Sequence, residues 1–497
     1  MKQYSHYING EHFDGASGRF GDIFNPSTGA KSAEVPLASK TEVENAIAAA
    51  EAAFPAWSAT SVLQRSRIMT RFTELLYKHQ PELAELVSRE HGKVIEDAMG
   101  SVLRGVEVAE FACGIPHLQK GEFSDNVAGG IDIYSMRKPL GVVAGITPFN
   151  FPAMIPLWMA CMAMVTGNTV VLKPSEKDPG CPMRIAELFV EAGGPAGVLN
   201  VVNGDKEAVD TLLNDPRIKA VSFVGSTPIA KYVYETATRN GKRCQAMGGA
   251  KNHMLILPDA DLEGVANALM GAAYGSAGER CMAISVGVCV GDEVADRLVE
   301  LLTPRIKGLK IGASLDKGLE MGPLVTAAHR EKVMNYIQMG VDEGAELLID
   351  GRDFTLPGHE EGFFLGGSLF DHVTRDMRSY KEEIFGPVLQ LMRVQSFEEG
   401  MALASDHEYG NGTSIFTRNG AAARTYADKV EVGMVGVNVP IPVPLAFHSF
   451  GGWKASAFGD HNQYGMEAVR FYTKVKTVTA RWAESAIATD FSIPTLK

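Results

Sequence analysis

Several classes of protein are disfavoured by what the sequence lacks. Its 497 residues contain six cysteines, too few for a disulfide scaffold, and no two of them form a C-x-x-C pair. A zinc ribbon or a thioredoxin-type site is therefore not expected, and a reducing compartment is indicated. Basic residues are outnumbered, since 47 Lys and Arg stand against 59 Asp and Glu, for a formal net charge of −12. A dedicated nucleic-acid binder needs a basic face, so that class is disfavoured.

Charge is absent from residues 141–172, a run long enough to raise the question of a membrane span. Prolines and asparagines interrupt it, and they are Pro148, Pro152, Pro156, Asn150 and Asn168. The run is better explained as a buried unit, with a strand over 141–146, a loop over 147–152, a helix over 153–166 and a strand over 169–172. Residues 1–6 contain no apolar signal core and no Arg-rich presequence, which predicts a cytoplasmic protein.

Apolar strands alternate with amphipathic helices along most of the chain. Between residues 182 and 257 three helical patterns alternate with three strand patterns, and the alternation continues over residues 260–470. It predicts an α/β protein with two domains, in which right-handed crossovers join parallel strands into doubly wound sheets. A strand pattern at 471–481 follows the second domain. An isolated terminal strand needs a sheet to pair with, so we expect an oligomer contact there.

Neither the G-x-G-x-x-G fingerprint nor a Walker A loop is present. Two other stretches are candidate anion sites. Gly225 and Ser226 stand at a strand–helix junction, where Ser226 or Thr227 caps a helix whose free N–H groups can bind phosphate. A plain capped helix is the alternative. Lys173 ends a strand, where ligands bind in open α/β sheets; it can bond a ribose hydroxyl or a phosphate, or be a solvated loop lysine.

Cys281 is the candidate nucleophile. It lies in the stretch 274–282, where small residues leave the backbone open to a substrate carbonyl. The neighbouring Arg280 is expected either to lower the pKa of this thiol or to hold an anionic substrate. The remaining cysteines fit packing positions, and they are Cys113, Cys161, Cys181, Cys244 and Cys289.

Four stretches together resemble the aldehyde dehydrogenase superfamily: T-P-F-N-F-P at 147–152, F-V-G-S-T at 223–227, G-E-R-C at 278–281 and E-E-I-F-G-P at 382–387. The resemblance covers about residues 7–481. It implies the aldehyde dehydrogenase fold, with two doubly wound α/β domains plus a β oligomerisation flap. The implied NAD-binding domain is 1–120 with 138–250, the catalytic domain is 251–470, and the flap is 121–137 with 471–497. A homotetramer, a dimer of dimers, is also implied.

The same resemblance implies roles for individual residues. Cys281 attacks the aldehyde, and the Asn150 amide and the Cys281 backbone N–H stabilise the oxyanion, before hydride transfer leaves a thioester on Cys281. Lys173 and Glu176 bind the adenosine ribose, Ser226 meets the pyrophosphate, and Glu383 and Phe385 hold the nicotinamide ribose and ring. Further cofactor contacts are implied for Thr147, Phe149, Lys177, Gly225 and Gly248. Glu176 repels a 2′-phosphate, so NAD is expected rather than NADP, and no metal is expected.

One departure from the superfamily pattern concerns deacylation. Hydrolytic members carry an acid in an E-L-G-G-K motif, and here that position is Met247 or Ala246, depending on the alignment. Neither side chain accepts a proton, and general-base help is typically worth ~10²–10⁴ in rate. Attack by water on the thioester should therefore be slow. A thiol such as coenzyme A needs less help, so an acylating enzyme is favoured.

Several stretches resemble the methylmalonate-semialdehyde dehydrogenases: G-A-K-N-H at 249–253, C-M-A-I-S at 281–285, V-P-I-P-V-P at 439–444, S-F-G-G-W-K at 449–454 and F-Y-T at 471–473. The implied reaction is CoA-dependent oxidative decarboxylation of methylmalonate semialdehyde to propionyl-CoA and of malonate semialdehyde to acetyl-CoA. Arg104 and Arg280 match the two arginines that hold the substrate carboxylate. Guanidinium groups suit that role because they bind carboxylates bidentately.

Some points stay open at this level. The alternative enzyme is a hydrolytic NAD-dependent dehydrogenase of another anionic aldehyde, such as succinate semialdehyde or a sulfonated aldehyde. A non-catalytic binding protein is a third reading, which the intact set of Asn150, Cys281 and Glu383 argues against. Glu279 stands where many relatives carry Gln, and its carboxylate either lies near the anionic substrate or points away. The stretch 445–448 leaves the substrate choice open.

Overall fold

A computed structural model describes residues 2–128 and 130–482 of the chain. The helices are α1 Lys40–Ala59, α2 Val62–Lys78, α3 Gln80–His91, α4 Ile95–Cys113, α5 Ile115–Leu118, α6 Met154–Val165, α7 Gly180–Glu191, α8 Lys206–Asn214, α9 Thr227–Arg239, α10 Leu262–Leu269, α11 Asp292–Lys307, α12 Ala327–Asp342, α13 Arg378–Lys381, α14 Phe397–Asp406, α15 Gly420–Lys429 and α16 Gly465–Phe471.

The strands are β1 Lys2–Gln3, β2 His6–Ile8, β3 Glu11–Phe13, β4 Phe20–Phe24, β5 Lys31–Pro36, β6 Phe123–Ala128, β7 Ile131–Pro139, β8 Val142–Ile146, β9 Thr169–Lys173, β10 Leu199–Val201, β11 Ile218–Val224, β12 Arg243–Met247, β13 Asn252–Ile256, β14 Ile284–Val290, β15 Glu346–Ile349, β16 Ser368–Asp371, β17 Val388–Val394, β18 Tyr409–Gly410, β19 Gly412–Phe416, β20 Met434–Val437, β21 Trp453–Lys454, β22 Ala457–Phe458 and β23 Thr473–Arg481.

Two large sheets carry the fold. The first has the order β22-β12-β11-β8-β9-β10-β2-β3, and its central strands from β12 to β10 are parallel. The second has the order β15-β16-β17-β14-β13-β19-β20, parallel except for β15. The predicted fold class, with two parallel α/β sheets and an additional small β sheet, is confirmed. The short strand β22 comes from the second half of the chain but pairs with β12 of the first sheet.

The uncharged run forms the predicted strand–loop–helix–strand unit. Every residue of α6 is buried, and β8 and β9 are adjacent parallel strands. Helix α4 packs closely on α6 at Gly105, where an added Cβ would lie 2.7 Å from the Leu157 side chain. The segment is therefore part of the core beneath the first sheet. None of the described helices combines the length and apolar character that crossing a bilayer requires.

The terminal strand predicted over 471–481 forms as β23 and pairs with a strand of this same chain. β23 pairs antiparallel with β7 along its whole length, and β7 pairs with β6. The three strands form a small separate sheet. Helix α16 ends at Phe471, and the chain then runs directly into β23 alongside β7. These strands lie mostly within the segments 121–137 and 471–497 that were predicted as an oligomerisation flap, which stays a prediction; residues 483–497 lie outside the described part.

Candidate active site

Cys281 lies beyond an irregular turn that the sequence predicted only as the end of a helix. After α10 the chain forms a π-helical turn, Met270–Tyr274, and a short 3₁₀ turn, Gly275–Gly278. Ser276, Ala277 and Gly278 have φ values of 55°, 51° and 73°, the left-handed region that non-glycine residues rarely adopt. Irregular turns of this kind occur often at functional sites. Here the turn places Cys281 between two cavities.

Two side-chain amides fix the peptide that follows the nucleophile. Asn252 Nδ2 and Asn411 Nδ2 donate to the Cys281 carbonyl oxygen at 2.9 and 3.0 Å. Asn252 begins β13 and Asn411 lies between β18 and β19, so both are held by the second sheet. Neither residue was a sequence candidate. The G-A-K-N-H match contained Asn252, but only the fold brings it to Cys281.

Asn150 is held at both its main chain and its side chain. Its Nδ2 donates to the Glu279 carbonyl at 3.0 Å, and Lys93 Nζ donates to the Asn150 carbonyl at 3.0 Å. Lys93 is buried, and burial lowers its pKa to about 8. The ammonium also lies 4.0 Å from the centre of the Phe151 ring. Lys93 was not predicted, because a lysine before a helix reads in sequence as a surface residue.

The substrate-side cavity has a volume of about 210 Å³ and contains Cys281. Its charged lining residues are Asp97, Arg104 and Arg280, and much of the remaining wall is apolar, including Phe151, Met154, Trp158, Met247 and Phe450. The two predicted carboxylate-binding arginines therefore share one cavity with the nucleophile. Met247, which takes the position of the missing acid when the motif is aligned through Lys251, lies in the same wall.

Each arginine is positioned by an acidic neighbour. Arg104 Nη1 lies 2.6 Å from Glu107, and its Nη2 donates to the Pro444 carbonyl at 2.7 Å. Arg280 Nη2 lies 2.7 Å from the Asp97 carboxylate. The guanidinium groups are thus held in place while part of each still faces the cavity.

The expectation that Arg280 lowers the pKa of Cys281 is wrong. The pKa of Cys281 is raised to about 11, first by burial and then by the negative charge of Glu383, and the cation that opposes the rise is Lys93. Arg280 instead forms an ion pair with Asp97. The free thiol is therefore protonated at neutral pH, and its reaction requires a proton acceptor.

The cofactor-side cavity meets Cys281 from the other direction. Its walls contain these residues, predicted to contact NAD or to stabilise the oxyanion: Phe149, Asn150, Gly225, Ser226, Gly248, Glu383 and Phe385. His329 and Lys332 of α12 also line it and were not predicted. His329 Nε2 bonds the Phe385 carbonyl at 2.7 Å, and the Phe149 and Phe385 rings meet edge to face.

The remaining predicted cofactor residues lie at the ends of neighbouring strands outside this cavity. Lys173 is buried at the end of β9 rather than solvated, and its Nζ lies 3.3 Å from Glu176. Lys177 Nζ lies 4.6 Å from the centre of the Phe149 ring. The Thr147 backbone N–H donates to the Lys173 carbonyl at 3.1 Å, which joins the ends of β8 and β9.

The start of α9 differs from the predicted capped helix. Ser226 occupies the position before the first turn, but neither its side chain nor that of Thr227 caps the helix. The Thr227 hydroxyl instead accepts a hydrogen bond from the Gly249 N–H at 2.7 Å. Pro228 has no N–H, and the Ile229 N–H donates to the Ser226 carbonyl at 3.1 Å, so the Thr227 N–H is the donor of this turn that is left for an anion.

Glu279 turns away from the substrate cavity into the interior. Its Oε1 accepts from the Val325 N–H at 3.2 Å and lies 3.5 Å from His329, and its Oε2 lies 3.6 Å from His91. Burial raises the pKa of Glu279 to about 8, so the carboxyl is largely protonated at neutral pH. It does not repel an anionic substrate.

A thiol between two cavities, one of which also contains the buried Asn150, is consistent with an oxidoreductase of the aldehyde dehydrogenase class. The sequence matches the aldehyde dehydrogenase family over residues 13–478, and the chain belongs to that family. It is 60% identical to the malonate-semialdehyde dehydrogenase of Pseudomonas aeruginosa over 100% of both chains. It is 48% identical to the acylating, mitochondrial methylmalonate-semialdehyde dehydrogenase of Arabidopsis thaliana, over 98% of this chain and 80% of that one.

Solved structures agree with these relationships. A methylmalonate-semialdehyde dehydrogenase from Oceanimonas doudoroffii superposes with a TM-score of 0.96 at 57% identity, covering 98% of this chain and 99% of the other. A Sinorhizobium meliloti structure described by the same activity, in complex with NAD, gives a TM-score of 0.97 at 56% identity with the same coverage.

Proposed function

We propose that this enzyme oxidises and decarboxylates malonate semialdehyde and methylmalonate semialdehyde, forming acetyl-CoA and propionyl-CoA with reduction of NAD. The observation that carries the proposal is the shared cavity of Arg104, Arg280 and Cys281, with Met247 where a hydrolytic enzyme has an acid. The names of the similar proteins from Pseudomonas aeruginosa and Arabidopsis thaliana support the same reaction.

Two guanidinium groups select a substrate with a carboxylate. A semialdehyde of three carbons presents its carboxylate and its aldehyde close together, so Arg104 and Arg280 can bind one end while Cys281 Sγ reaches the other. The apolar walls from Trp158 and Phe450 leave room for a methyl branch. We therefore assign both semialdehydes as substrates.

The residues around the second cavity fit NAD. The uncapped start of α9 offers the Thr227 N–H for the pyrophosphate, the Glu176 carboxylate can accept from ribose hydroxyls, and the Phe149 and Phe385 rings form an apolar wall for the nicotinamide. When bound, NAD accepts the hydride that leaves the substrate carbon. The carboxylate of Glu176 also disfavours the 2′-phosphate of NADP.

Catalysis begins at Cys281. The thiol loses its proton to water as Sγ attacks the aldehyde carbon, and the negative charge that forms on oxygen is held by the Asn150 side-chain amide and the Cys281 backbone N–H. Lys93 and the Glu279 carbonyl keep Asn150 in place during this step. After oxidation a thioester links the substrate to Cys281 Sγ. Its carbonyl stabilises the carbanion left when the β-carboxylate departs as CO₂, and that carbanion takes up a proton from water. The sulfur of coenzyme A then forms a bond to the acyl carbon as the bond to Cys281 Sγ breaks.

The test is NADH formation by the purified enzyme with malonate semialdehyde, measured with and without CoA. We expect sustained turnover only with CoA, a single-turnover burst without it, and acetyl-CoA in the product. Equal steady-state rates with and without CoA would assign the hydrolytic function instead. Propanal and succinate semialdehyde serve as substrates that lack the carboxylate or carry it one carbon farther away.

We also propose that the sheet β6-β7-β23 joins subunits of a homotetramer. Its exposed apolar side chains include Phe123, Val475 and Trp482, which are 65%, 57% and 70% accessible. Large exposed apolar side chains on a sheet indicate an interaction surface. Light scattering should give four times the monomer mass, and Val475→Lys should reduce it. A monomer at micromolar concentration would refute the assignment.

A further inference from the structure

No residue has yet been assigned as the proton acceptor for transfer of the acyl group to coenzyme A. Met247, at the position of the missing acid, cannot accept a proton, and the pKa of Cys281 is raised by burial. Coenzyme A must lose its thiol proton when it attacks the thioester, and the leaving Cys281 sulfur must gain one. A carboxylate near Cys281 would serve both steps.

The cavities at Cys281 hold few carboxylates that can do this. The substrate-side cavity contains Asp97, which is paired with Arg280 at 2.7 Å. Glu279 faces His91 and Val325 in the interior. Glu383 lines the cofactor-side cavity together with Cys281, and the two residues also share a small adjoining cavity near Ala250 and Phe385.

One oxygen of Glu383 is fixed and the other is free. Oε1 accepts from the Ala250 backbone N–H at 3.0 Å. Oε2 faces Gly249, where an added Cβ would lie only 2.7 Å away, and among the described residues no group donates a hydrogen bond to it. Gly249 and Glu383 both line the cavity that contains Cys281, and Oε2 is the carboxyl oxygen of Glu383 without a hydrogen-bond donor among the described residues.

The charges around Glu383 fit a reversible proton acceptor. Burial raises the pKa of Glu383 to about 7, while the cations Lys332 and Lys251 oppose the rise. The carboxylate and the carboxylic acid therefore both exist near neutral pH, the condition for efficient general-base catalysis. His329, which also lines this cavity, already bonds the Phe385 carbonyl through Nε2, and burial lowers its pKa to about 4.

We propose that Glu383 is the catalytic base of acyl transfer to coenzyme A, an inference that rests on the proposed function. Glu383 Oε2 takes the proton as the CoA S–H bond breaks and the new S–C bond forms, and the carbonyl electron pair moves to the oxygen held by Asn150. The carbonyl then re-forms, the bond to Cys281 Sγ breaks, and that sulfur takes the proton back from Glu383. No oxidant is consumed.

The experiment measures acyl transfer to coenzyme A in the absence of NAD. Cys281 is acylated with p-nitrophenyl propionate at pH 9, the acyl-enzyme is desalted, and CoA is added at pH 7 while intact mass follows the loss of the propionyl group. We expect Glu383→Gln to slow this loss by about 10²-fold, the typical scale of general-base help, and Glu383→Asp to recover part of it. The wild-type rate should also rise with pH around 7, and that rise should vanish in Glu383→Gln.

The matched control is Glu382→Gln, because the Glu382 side chain faces Tyr336 and Arg378 instead. Its transfer rate should equal that of the wild type. A Glu383→Gln enzyme that folds and transfers at the wild-type rate, or that cannot be acylated even at pH 9, would overturn the assignment of Glu383. A wild-type acyl-enzyme that does not react with CoA would instead refute the proposed acylating function, so the two failures are distinguishable.

Discussion

The side-chain amide of Asn150 donates a hydrogen bond to the backbone carbonyl of Glu279, two residues before Cys281, at 3.0 Å. This bond ties the loop after β8 in the first sheet to the irregular turn before β14 in the second. Asn150 and Cys281 therefore keep a fixed relation although they are 131 residues apart in sequence. Because one Asn150 N–H is used in this way, the other is the one that our proposal assigns to the substrate oxygen.

Asn150→Ala should lower kcat by about 10²–10³-fold, the usual loss when one oxyanion donor is removed. The Michaelis constant for the aldehyde should change little, because the interaction forms chiefly in the transition state. Rapid-mixing measurement of the first NADH turnover checks this. Asn240→Ala, on a surface turn far from Cys281, is the control. A normal first turnover in Asn150→Ala would remove Asn150 from the oxyanion site.

Arg104→Ala should raise the Michaelis constant for malonate semialdehyde by about 10–100-fold, since a charged hydrogen bond is worth about 1.5–3 kcal/mol. Propanal, which has no carboxylate, should be affected far less. The control is Arg89→Ala, because Arg89 is exposed and pairs only with Glu85 on its own helix. Equal losses with both substrates would show that Arg104 acts through structure, by way of its bond to the Pro444 carbonyl.

Gly278→Ala should destabilise the protein by more than about 2 kcal/mol and abolish turnover. Gly278 has a φ of 73°, and an added Cβ would overlap the Gly386 carbonyl. Gly271→Ala is the matched control from the same irregular turn, because a Cβ there meets nothing within 4 Å. Thermal unfolding and the NADH assay measure both effects. A stable, active Gly278→Ala enzyme would show that the turn can rearrange without moving Cys281.

Glu279→Gln should raise the thermal stability more at pH 8 than at pH 5. The pKa of Glu279 is raised to about 8 in the folded protein, whereas an unfolded glutamate has a pKa of about 4.3. Between these values the unfolded state loses its proton first, so the native carboxyl costs stability as pH rises through that window. Glutamine removes this cost and still accepts from Val325.

Glu382→Gln is the comparison variant for the same melting experiment, because the pKa of Glu382 is lowered whereas that of Glu279 is raised. Its hydrogen bond from Tyr336 lowers the pKa of Glu382, so its contribution to stability is present above pH 4.3 and is lost on acidification. We expect its substitution to lower the melting temperature at pH 8, or to leave it nearly unchanged. A pH-independent gain in Glu279→Gln would show that Glu279 is ionised in the folded enzyme.

The periodic patterns of apolar residues were sufficient to predict the order of strands and helices. The run from 141 to 172 was predicted as strand, loop, helix and strand, and the structure has β8, α6 and β9 in that order. Periodicity says nothing, however, about which distant strands meet. The pairing of β22 with β12, and of β23 with β7, depends on where α16 and the loops return the chain.

Sequence motifs predicted some residues of the site but not those that only the fold brings there. Cys281, Asn150 and Glu383 belong to distinctive stretches, and the structure places all three around adjoining cavities. Lys93 and Asn411 belong to no such stretch, and their roles come from burial and from contacts across the fold. The direction of the Cys281 pKa shift could not be predicted from the neighbouring Arg280, because burial of the thiol and the charge of Glu383 raise the pKa, while Arg280 is paired with Asp97, 183 positions earlier.

The buried, uncharged segment from 141 to 172 has a consequence for how the chain is made. Like charges keep unfolded copies of a protein apart, and this stretch has none to do so. Until α2 and α4 cover α6, two nascent or refolding copies can associate through it as readily as one copy can close over it. The yield of active enzyme on dilution from denaturant should therefore fall as the protein concentration rises.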